Sequence, residues 1–310
     1  MKNKDYWQQR RLANNKRDIK EENELLVELF KILAEGYEDT INKLYAFYTK
    51  FAEENDMTIT QAQKLLTPIE LKECAERINR LVEIADKIDT STPFGKARKK
   101  QIEREIRIMR GRGRITREQL LLDSINEKWI EVSYKMDKKL GDFLVKNYDR
   151  EFKDSLKEAN VEKMTIPIKQ IEASILIPKY AYHFSDTIWK NKDKLLTFIN
   201  TEIRRGLVQG TDVRKTAKKL KDSMKVTEYQ AKRLVVTESA IARTEGSLEA
   251  YRQSEVVNEL IVLVTMDKRT CPQCKNYDNY VVRVDEAIVG DNIPPYHPGC
   301  RCSVAPYIND

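Results

Sequence analysis

The sequence predicts a mainly α-helical (α-rich) protein that ends in a small β subdomain. Charged residues make up 34% of the 310 residues, and glycine and proline number only 10 and 9, a composition typical of long solvated helices. Apolar residues recur at intervals of three or four over long stretches, which is the period of an amphipathic helix. β-Branched runs near the C-terminus indicate short strands. We therefore expect long amphipathic helices, then a second helical unit, then a small sheet.

The N-terminal region, residues 1–185, is expected to be helical. A stripe of apolar residues from Glu21 to Phe51 predicts one long amphipathic helix. A capping box at Thr60-Gln-Ala-Gln63 predicts a second helical segment, which Pro68 interrupts and which resumes through Ile88.

Two further signals divide this region. The stretch Ser91-Thr-Pro-Phe-Gly95 predicts a break. The capping box Thr116-Arg-Glu-Gln119 predicts the start of another long helix, whose apolar stripe continues to Phe152. Residues 161–185 are less regular and indicate short segments between prolines.

The C-terminal region, residues 186–310, is predicted to form a second domain. Its expected helices are Trp189 to Val208, a short one capped by Thr211 or Asp212 that ends at Met224, and one from the capping box Thr227-Glu-Tyr-Gln230 to Ser254. The run Glu259–Met266 predicts a buried strand, with which Val281–Val284 and Ser303–Tyr307 could pair. Residues 259–307 are thus expected to form a small sheet.

Four of the five cysteines lie within this last segment and indicate a structural zinc site. Cys271 and Cys274 form a C-x2-C pair, and His297, Cys300 and Cys302 follow after 22 intervening residues. Such spacing is typical of tetrahedral zinc, for which thiolates and imidazole are better ligands than for calcium or magnesium. Five candidates compete for four places, and the spacing does not choose between Cys300 and Cys302.

Three other interpretations of the cysteines compete with a zinc site. A thioredoxin-like redox pair should follow a strand and open a helix, and it needs no second cluster. Two disulfides would suit a secreted protein, but the N-terminus has no apolar core for a signal peptide, and only Cys74 lies outside the cluster. A nuclease with a structural zinc would need more histidines for a catalytic metal, and only His183 remains.

The net charge of +7 is concentrated in one block from residue 96 to 117. Two glycines among the arginines of Arg110-Gly-Arg-Gly-Arg114 predict a flexible basic loop there. Such a block attracts phosphate backbones without sequence preference. The candidate DNA contacts are Lys96, Arg98, Lys99, Lys100, Arg104, Arg107, Arg110, Arg112, Arg114 and Arg117.

A second block, from Arg204 to Lys225, carries eight basic residues against Asp212 and Asp222. We interpret it as a solvated helix face that could assist the first block. The sequence contains no apolar run of the ~18–20 residues that a membrane span needs, so no membrane partner is expected.

Several of these motifs together resemble a known family. They are Ile241-Ala-Arg-Thr-Glu245, the strand after it, Asp267-Lys-Arg-Thr-Cys-Pro-Gln-Cys274 and Pro294-Pro-Tyr-His-Pro-Gly-Cys-Arg-Cys302. This series is similar to the minor head proteins of tailed bacteriophages, the Mu protein F-like or phage head morphogenesis family. The resemblance covers roughly residues 192–307, including the turn at Gly206–Gly210.

The resemblance implies a low-copy internal capsid protein that associates with the portal protein during procapsid assembly. It further implies contact with scaffold or major capsid protein and with packaged, non-specific double-stranded DNA. The expected location is the virion, at the portal vertex inside the capsid, after assembly in the host cytoplasm. Some relatives carry an appended ADP-ribosyltransferase or toxin domain, which we do not expect here because the sequence ends at Asp310.

We expect no enzymatic activity. The glutamates Glu238 and Glu245 beside Arg243 could be acid–base residues, but ion pairing on a helix explains them more simply. The alternative functions are a zinc-stabilised nuclease or other DNA-processing enzyme, which magnesium-dependent cleavage would reveal, and a regulator that binds DNA through its zinc module with sequence preference.

Overall fold

The computed structural model describes residues 3–52, 68–111, 116–161, 164–266 and 270–307. It confirms the predicted class: the described residues are mainly helical and carry one small antiparallel sheet at the C-terminal end. The described helices are α1 (Asn3–Ala52), α2 (Pro68–Asp86), α3 (Pro93–Arg110), α4 (Arg117–Glu158), α5 (Ile168–Ile175), α6 (Phe184–Val208), α7 (Val213–Ser254) and the one-turn α8 (Pro272–Lys275). None of the helices in these ranges is long and apolar enough to cross a membrane.

The sheet has the strand order β2-β1-β3, with β1 (Glu259–Leu263) in the centre. β2 (Val281–Arg283) and β3 (Ser303–Tyr307) both pair with it in antiparallel orientation. The predicted pairing of these three segments is therefore confirmed. The first strand is shorter than the predicted 259–266, since it ends at Leu263.

The chain folds into two compact units, and neither is continuous in sequence. Unit 1 contains Met1–Val27, Lys139–Phe184 and Ala231–Asp310, and unit 2 contains Glu28–Lys138 and Ser185–Gln230. The helices α1, α4 and α7 each contribute one part to unit 1 and another to unit 2. The sequential boundary at residue 185 stays a prediction.

Unit 1 places the sheet between two apolar clusters. On one side, Leu260, Val262 and Val304 join Leu248 and Tyr251 of α7 in a buried cluster. A second cluster consists of Trp7 from α1 with Ile261, Leu263 and Ala305. Alternate residues of β1 thus belong to different clusters, as the period of two of a β-strand requires.

Helix α1 begins at Asn3, so the prediction that it starts at Glu21 was wrong. The first turns lack an apolar stripe, yet charged residues of unit 1 hold them: Arg10 contacts Glu158 at 3.0 Å, and Asp18 contacts Arg150 at 2.7 Å. Their partners lie more than a hundred positions away in the sequence. A search for apolar periodicity does not detect a helix that is held by such distant charges.

Helix α3 confirms one prediction and corrects another. The break predicted at Ser91–Gly95 is confirmed, since α2 ends at Asp86 and α3 begins at Pro93. Thr92 is the N-cap of α3, and its hydroxyl accepts a hydrogen bond from the Gly95 amide at 3.0 Å. Pro93 occupies the first turn, where its missing N–H costs nothing. A Cβ on Gly95 would lie 1.7 Å from the Asp89 carbonyl oxygen, so this helix start needs a glycine. Residues 96–110 consequently form a helix and not the predicted loop.

Thr116 and Asp212 behave as capping residues, as predicted. The Thr116 hydroxyl accepts from the Gln119 amide at 3.2 Å, and the Asp212 carboxylate accepts from the Arg214 amide at 2.8 Å. The capping box predicted at Thr227 was wrong, since α7 is continuous from Val213 to Ser254. The Thr227 hydroxyl instead bonds with the Tyr37 hydroxyl at 2.8 Å within unit 2. The predicted box at residues 60–63 lies outside the described residues.

Candidate metal centre and basic surfaces

The C-x2-C pair of unit 1 is shaped by the one-turn helix α8. Cys271 is its N-cap, and the Cys271 sulfur accepts a hydrogen bond from the Cys274 amide at 3.4 Å. Pro272 occupies the first position of the turn, where its fixed φ favours the helical conformation. This turn directs both sulfurs to the same side, which is what a C-x2-C metal knuckle requires.

The second group of donors lies on the loop before β3. The Cys300 amide donates to the His297 carbonyl at 3.1 Å, which closes a tight turn. Gly299 has a φ of 75° in this turn, a conformation that a glycine adopts without strain. The turn brings His297 and Cys300 back towards α8.

The five predicted ligands meet around Cys274. The Cys274 sulfur lies 3.1 Å from Nε2 of His297 and 3.7 Å from the Cys300 sulfur, while the Cys271 sulfur lies 3.2 Å from Nε2 of His297. Cys274 belongs to two overlapping triads, one with Cys271 and His297 and one with Cys300 and Cys302, and within each triad the donor atoms are no more than 4.8 Å apart. The cluster could hold a metal ion.

The distance between the Cys274 and Cys300 sulfurs fits a small tetrahedral ion. Two sulfurs bound at about 2.3 Å to one tetrahedral centre lie about 3.8 Å apart, close to the 3.7 Å between Cys274 and Cys300. These two cysteines are buried, whereas Cys271 and Cys302 are half-buried. Three or four soft donors without a carboxylate among them favour zinc-type ions over calcium or magnesium.

The orientation of the His297 ring favours metal binding through Nε2. Its Nδ1 lies 3.1 Å from the Pro298 carbonyl oxygen. A carbonyl can only accept, so Nδ1 carries the proton, and the Nε2 lone pair is directed at the two sulfurs. A backbone carbonyl that fixes the tautomer in this way is common behind metal-binding histidines.

Hydrogen bonding within the cluster shifts the pKa values of its thiols in different directions. The pKa of Cys300 falls to about 5, first because the Cys302 thiol donates to it, with backbone amides adding to the effect. The backbone amide of Cys274 likewise lowers the pKa of Cys271. Burial, together with the nearby Cys300 sulfur, raises the pKa of Cys274 to about 12. A bound cation would favour the thiolate at every position, because metal binding displaces protons.

The neighbouring sulfurs also affect the pKa of His297. Burial works to lower it, but the bond to the Pro298 carbonyl and the charges of Cys300 and Cys271 outweigh burial and raise it.

Three supports of the loop at 294–300 were not recognised in the sequence. The Tyr180 hydroxyl donates to the Pro295 carbonyl at 2.9 Å, and the Thr237 hydroxyl accepts from the Gly299 amide at 3.2 Å. Tyr296 stacks on Tyr277 with ring centroids 4.1 Å apart. The one sequence signal for these supports is the high number of aromatic residues near the cysteines.

The predicted DNA-contact residues occupy different environments in unit 2. Arg98 is buried, and its Nε donates to the Asp137 carboxylate at 2.6 Å. Lys99, Arg104 and Arg117 pair with Asp86, Asp193 and Glu70 at 3.6, 3.0 and 3.3 Å. The four exposed cations that have no ion pair with a described residue are Lys96, Lys100, Arg107 and Arg110. Arg112 and Arg114 lie outside the described residues.

Residues 197–305 match the family of phage Mu protein F like proteins. The resemblance noted in the sequence is thereby confirmed for a segment that contains α7, β1, β2, the first part of β3 and all five candidate ligands. The match is limited to this segment. No curated protein and no solved structure matched the chain.

Proposed function

We propose that this chain is a minor head protein of a tailed phage, which joins the portal and other head components during assembly and remains in the virion. The observation that carries the proposal is the phage Mu F-like segment at residues 197–305, which includes the whole Cys/His cluster. In this proposal the protein has no catalytic role. Its helices provide docking surfaces, and a structural metal stabilises the C-terminal region.

The test is co-purification of the full-length chain with the portal protein from procapsids. We expect capture at far fewer copies than the major capsid protein. Fragments that divide the chain near residue 185 are unsuitable, because such a cut would separate parts of both units. If the full-length chain captures no portal protein and heads assemble normally after deletion of its gene, the head-protein proposal is wrong.

The proposed metal is one structural zinc ion per chain, bound by Cys271, Cys274, His297 and Cys300. Cys300 is favoured over Cys302 because it is buried and 3.7 Å from the Cys274 sulfur. Four protein donors leave no open position for a catalytic water. Magnesium- or zinc-dependent cleavage of DNA by the pure protein would favour the nuclease alternative instead.

Elemental analysis of reduced, chelator-free protein tests this assignment. We expect about one zinc per chain in the wild type, in Cys302→Ser and in Cys74→Ser, and well under one in Cys300→Ser, since a site that loses a ligand binds zinc weakly. Cys74 is a matched control because it is a buried thiol of α2 in unit 2. Retention of zinc by Cys300→Ser with its loss from Cys302→Ser would reverse the choice of fourth ligand.

The chain is further proposed to contact packaged DNA without sequence preference. On α3, the exposed cations available for this contact are Lys96, Lys100, Arg107 and Arg110. Arg112 and Arg114 add positive charge in the sequence after them. If four to six basic side chains of the chain contact phosphates, the log–log salt slope of binding to duplex DNA should be about −4 to −5. Equal affinity for unrelated sequences is expected, and a clear sequence preference would favour the regulator alternative.

A further inference from the structure

The second basic block forms a straight line of charge along the first half of α7. Arg214, Lys218, Lys221 and Lys225 are all exposed and follow one another at intervals of four, three and four residues. At about 100° per residue they lie within an arc of about 60°, and the line is about 16 Å long. We call these four residues the α7 stripe. Tyr229, one turn further along, is 66% exposed.

The α7 stripe differs from the other cations of the same block. Arg204 contacts Glu118 at 2.6 Å, and Arg205 and Lys219 contact the buried Glu202 at 2.5 and 2.8 Å. No residue of the stripe makes an ion pair with a described residue. The fold therefore neutralises three of the eight basic residues in this block and leaves the stripe charged.

The stripe is placed where it opposes local helix stability. The positive end of the helix dipole at the start of α7 favours carboxylates, but beyond the capping Asp212 the first turn contains no acidic residue and carries Arg214. Arg214 and Lys218, and Lys221 and Lys225, are like charges four residues apart, which repel on a helix. Local conflicts of this kind are expected at functional surfaces and not at purely structural ones.

The α3 cations provide a comparison within the same unit. Lys96, Lys100, Arg107 and Arg110 also share one side of a helix, but the exposed Glu103 lies in the middle of that arc. In the α7 stripe the nearest carboxylate in sequence is Asp222, which falls beside the arc and not inside it. The α7 stripe is thus the more uniform cationic surface, although the α3 block has the higher net charge in the sequence.

We propose that the α7 stripe binds the phosphate backbone of duplex DNA. Cations about 4.5–6 Å apart on a rigid rod suit a partner with closely and regularly spaced negative charge. Three of the four are lysines, which act as point charges for phosphates and do not read bases in a planar, bidentate manner. The inference rests on the proposed DNA contact and assigns its main surface to α7.

The experiment compares two full-length variants that lose the same charge. The stripe variant carries Arg214→Gln, Lys218→Gln, Lys221→Gln and Lys225→Gln, and the control carries Lys96→Gln, Lys100→Gln, Arg107→Gln and Arg110→Gln. Glutamine retains good helix propensity, and circular dichroism checks that both variants fold. Binding to a duplex of random sequence is measured by fluorescence anisotropy as a function of salt concentration.

If three or four stripe residues contact phosphates, the salt slope should become shallower by about 3 to 4, and affinity at 0.1 M salt should fall by about 100-fold or more. The control should change the slope by less than half as much. Equal losses in both variants would show that only net charge matters and would overturn the assignment to α7. An unchanged slope in the stripe variant would overturn it as well.

Two further outcomes separate this inference from the proposed function. If the stripe variant binds DNA normally but no longer captures portal protein, the stripe is a protein-docking surface, and the inference fails while the head-protein proposal stands. If neither variant changes DNA binding, the DNA contact fails as a whole, and portal capture still tests the head protein independently. Loss of DNA binding with intact portal capture supports the inference.

Discussion

The Cys/His region of unit 1 and the helices of unit 2 are held in different ways. Around Cys274, donor atoms from α8 and from the loop before β3 meet within a few ångströms, and the segments that carry them are short. In unit 2, long apolar stripes pack together, and a few buried polar groups fix their positions. In the proposed metal-bound form, the first region therefore depends on a handful of donor atoms in addition to its apolar cluster, whereas the second depends on many distributed contacts.

Asp137 shows how the helices of unit 2 are fixed. Its carboxylate accepts from Arg98 of α3 at 2.6 Å and from Trp189 of α6 at 3.3 Å, and the Ser185 hydroxyl also donates to it. The side chain is 1% exposed. One buried carboxylate therefore links α4 with two other helices, and every hydrogen bond to it is shielded from water.

The largest effect is expected from Cys274→Ser. Cys274 belongs to both donor triads, so its loss removes metal binding, which supplies about 10–16 kcal/mol of folding free energy in zinc-finger peptides. We expect the region after Glu259 to unfold while far-UV circular dichroism retains most of its helical signal. Limited proteolysis should cut first within residues 259–307. A variant that resists proteolysis there as well as the wild type and Cys74→Ser do would show that the region does not depend on the metal.

A smaller but still large effect is expected from Asp137→Ala in unit 2. Without the carboxylate, Arg98 becomes a buried charge without its partner, a change that costs about 3–5 kcal/mol. The urea midpoint of Asp137→Ala should be lower than that of the wild type. The midpoint of Asp137→Asn should lie between those two values. Asp142→Ala, at an exposed position of the same helix, should change stability by no more than about 0.5 kcal/mol. Equal effects at the two positions would contradict the role assigned to Asp137.

The smallest effect is expected at Glu238, and it is stabilising. Burial raises the pKa of this carboxyl group to about 8 from its usual 4.5. The folded state therefore holds a proton that the unfolded state releases, and stability is lost as the pH rises from about 4.5 to about 8. Glu238→Gln removes this loss of stability. Above pH 8 its free energy of unfolding should therefore exceed that of the wild type by on the order of 1–4 kcal/mol.

Thermal denaturation between pH 5 and 8.5 measures this gain. The melting temperature of Glu238→Gln should exceed that of the wild type by an amount that increases with pH. The two proteins should converge towards pH 4.5, where the carboxyl group is protonated in both states. A constant difference across the range would show that the glutamine acts through packing and not through the charge.

Sequence patterns predicted local features well where the deciding groups are close in the chain. Thr116 and Asp212 cap helices within three residues of themselves, and Cys271 and Cys274 share one turn. The β-branched runs likewise predicted all three strands, although the partner of each strand had to be inferred. Predictions failed where the partner is distant: Thr227 has the pattern of a cap, but its hydroxyl bonds with Tyr37, 190 positions away.

The amino-acid sequence by itself determined the helical class, the amphipathic stripes, the short strands and the set of five soft donors, because each depends on residue type and on spacing over a few residues. Tertiary structure decided which cations remain exposed. Arg98 is buried and bound to the carboxylate of Asp137, 39 positions away. The α7 stripe stays exposed. The physical reason is that burial and ion pairing depend on which distant side chains come into contact. The local periodicity of the sequence contains no information about those contacts.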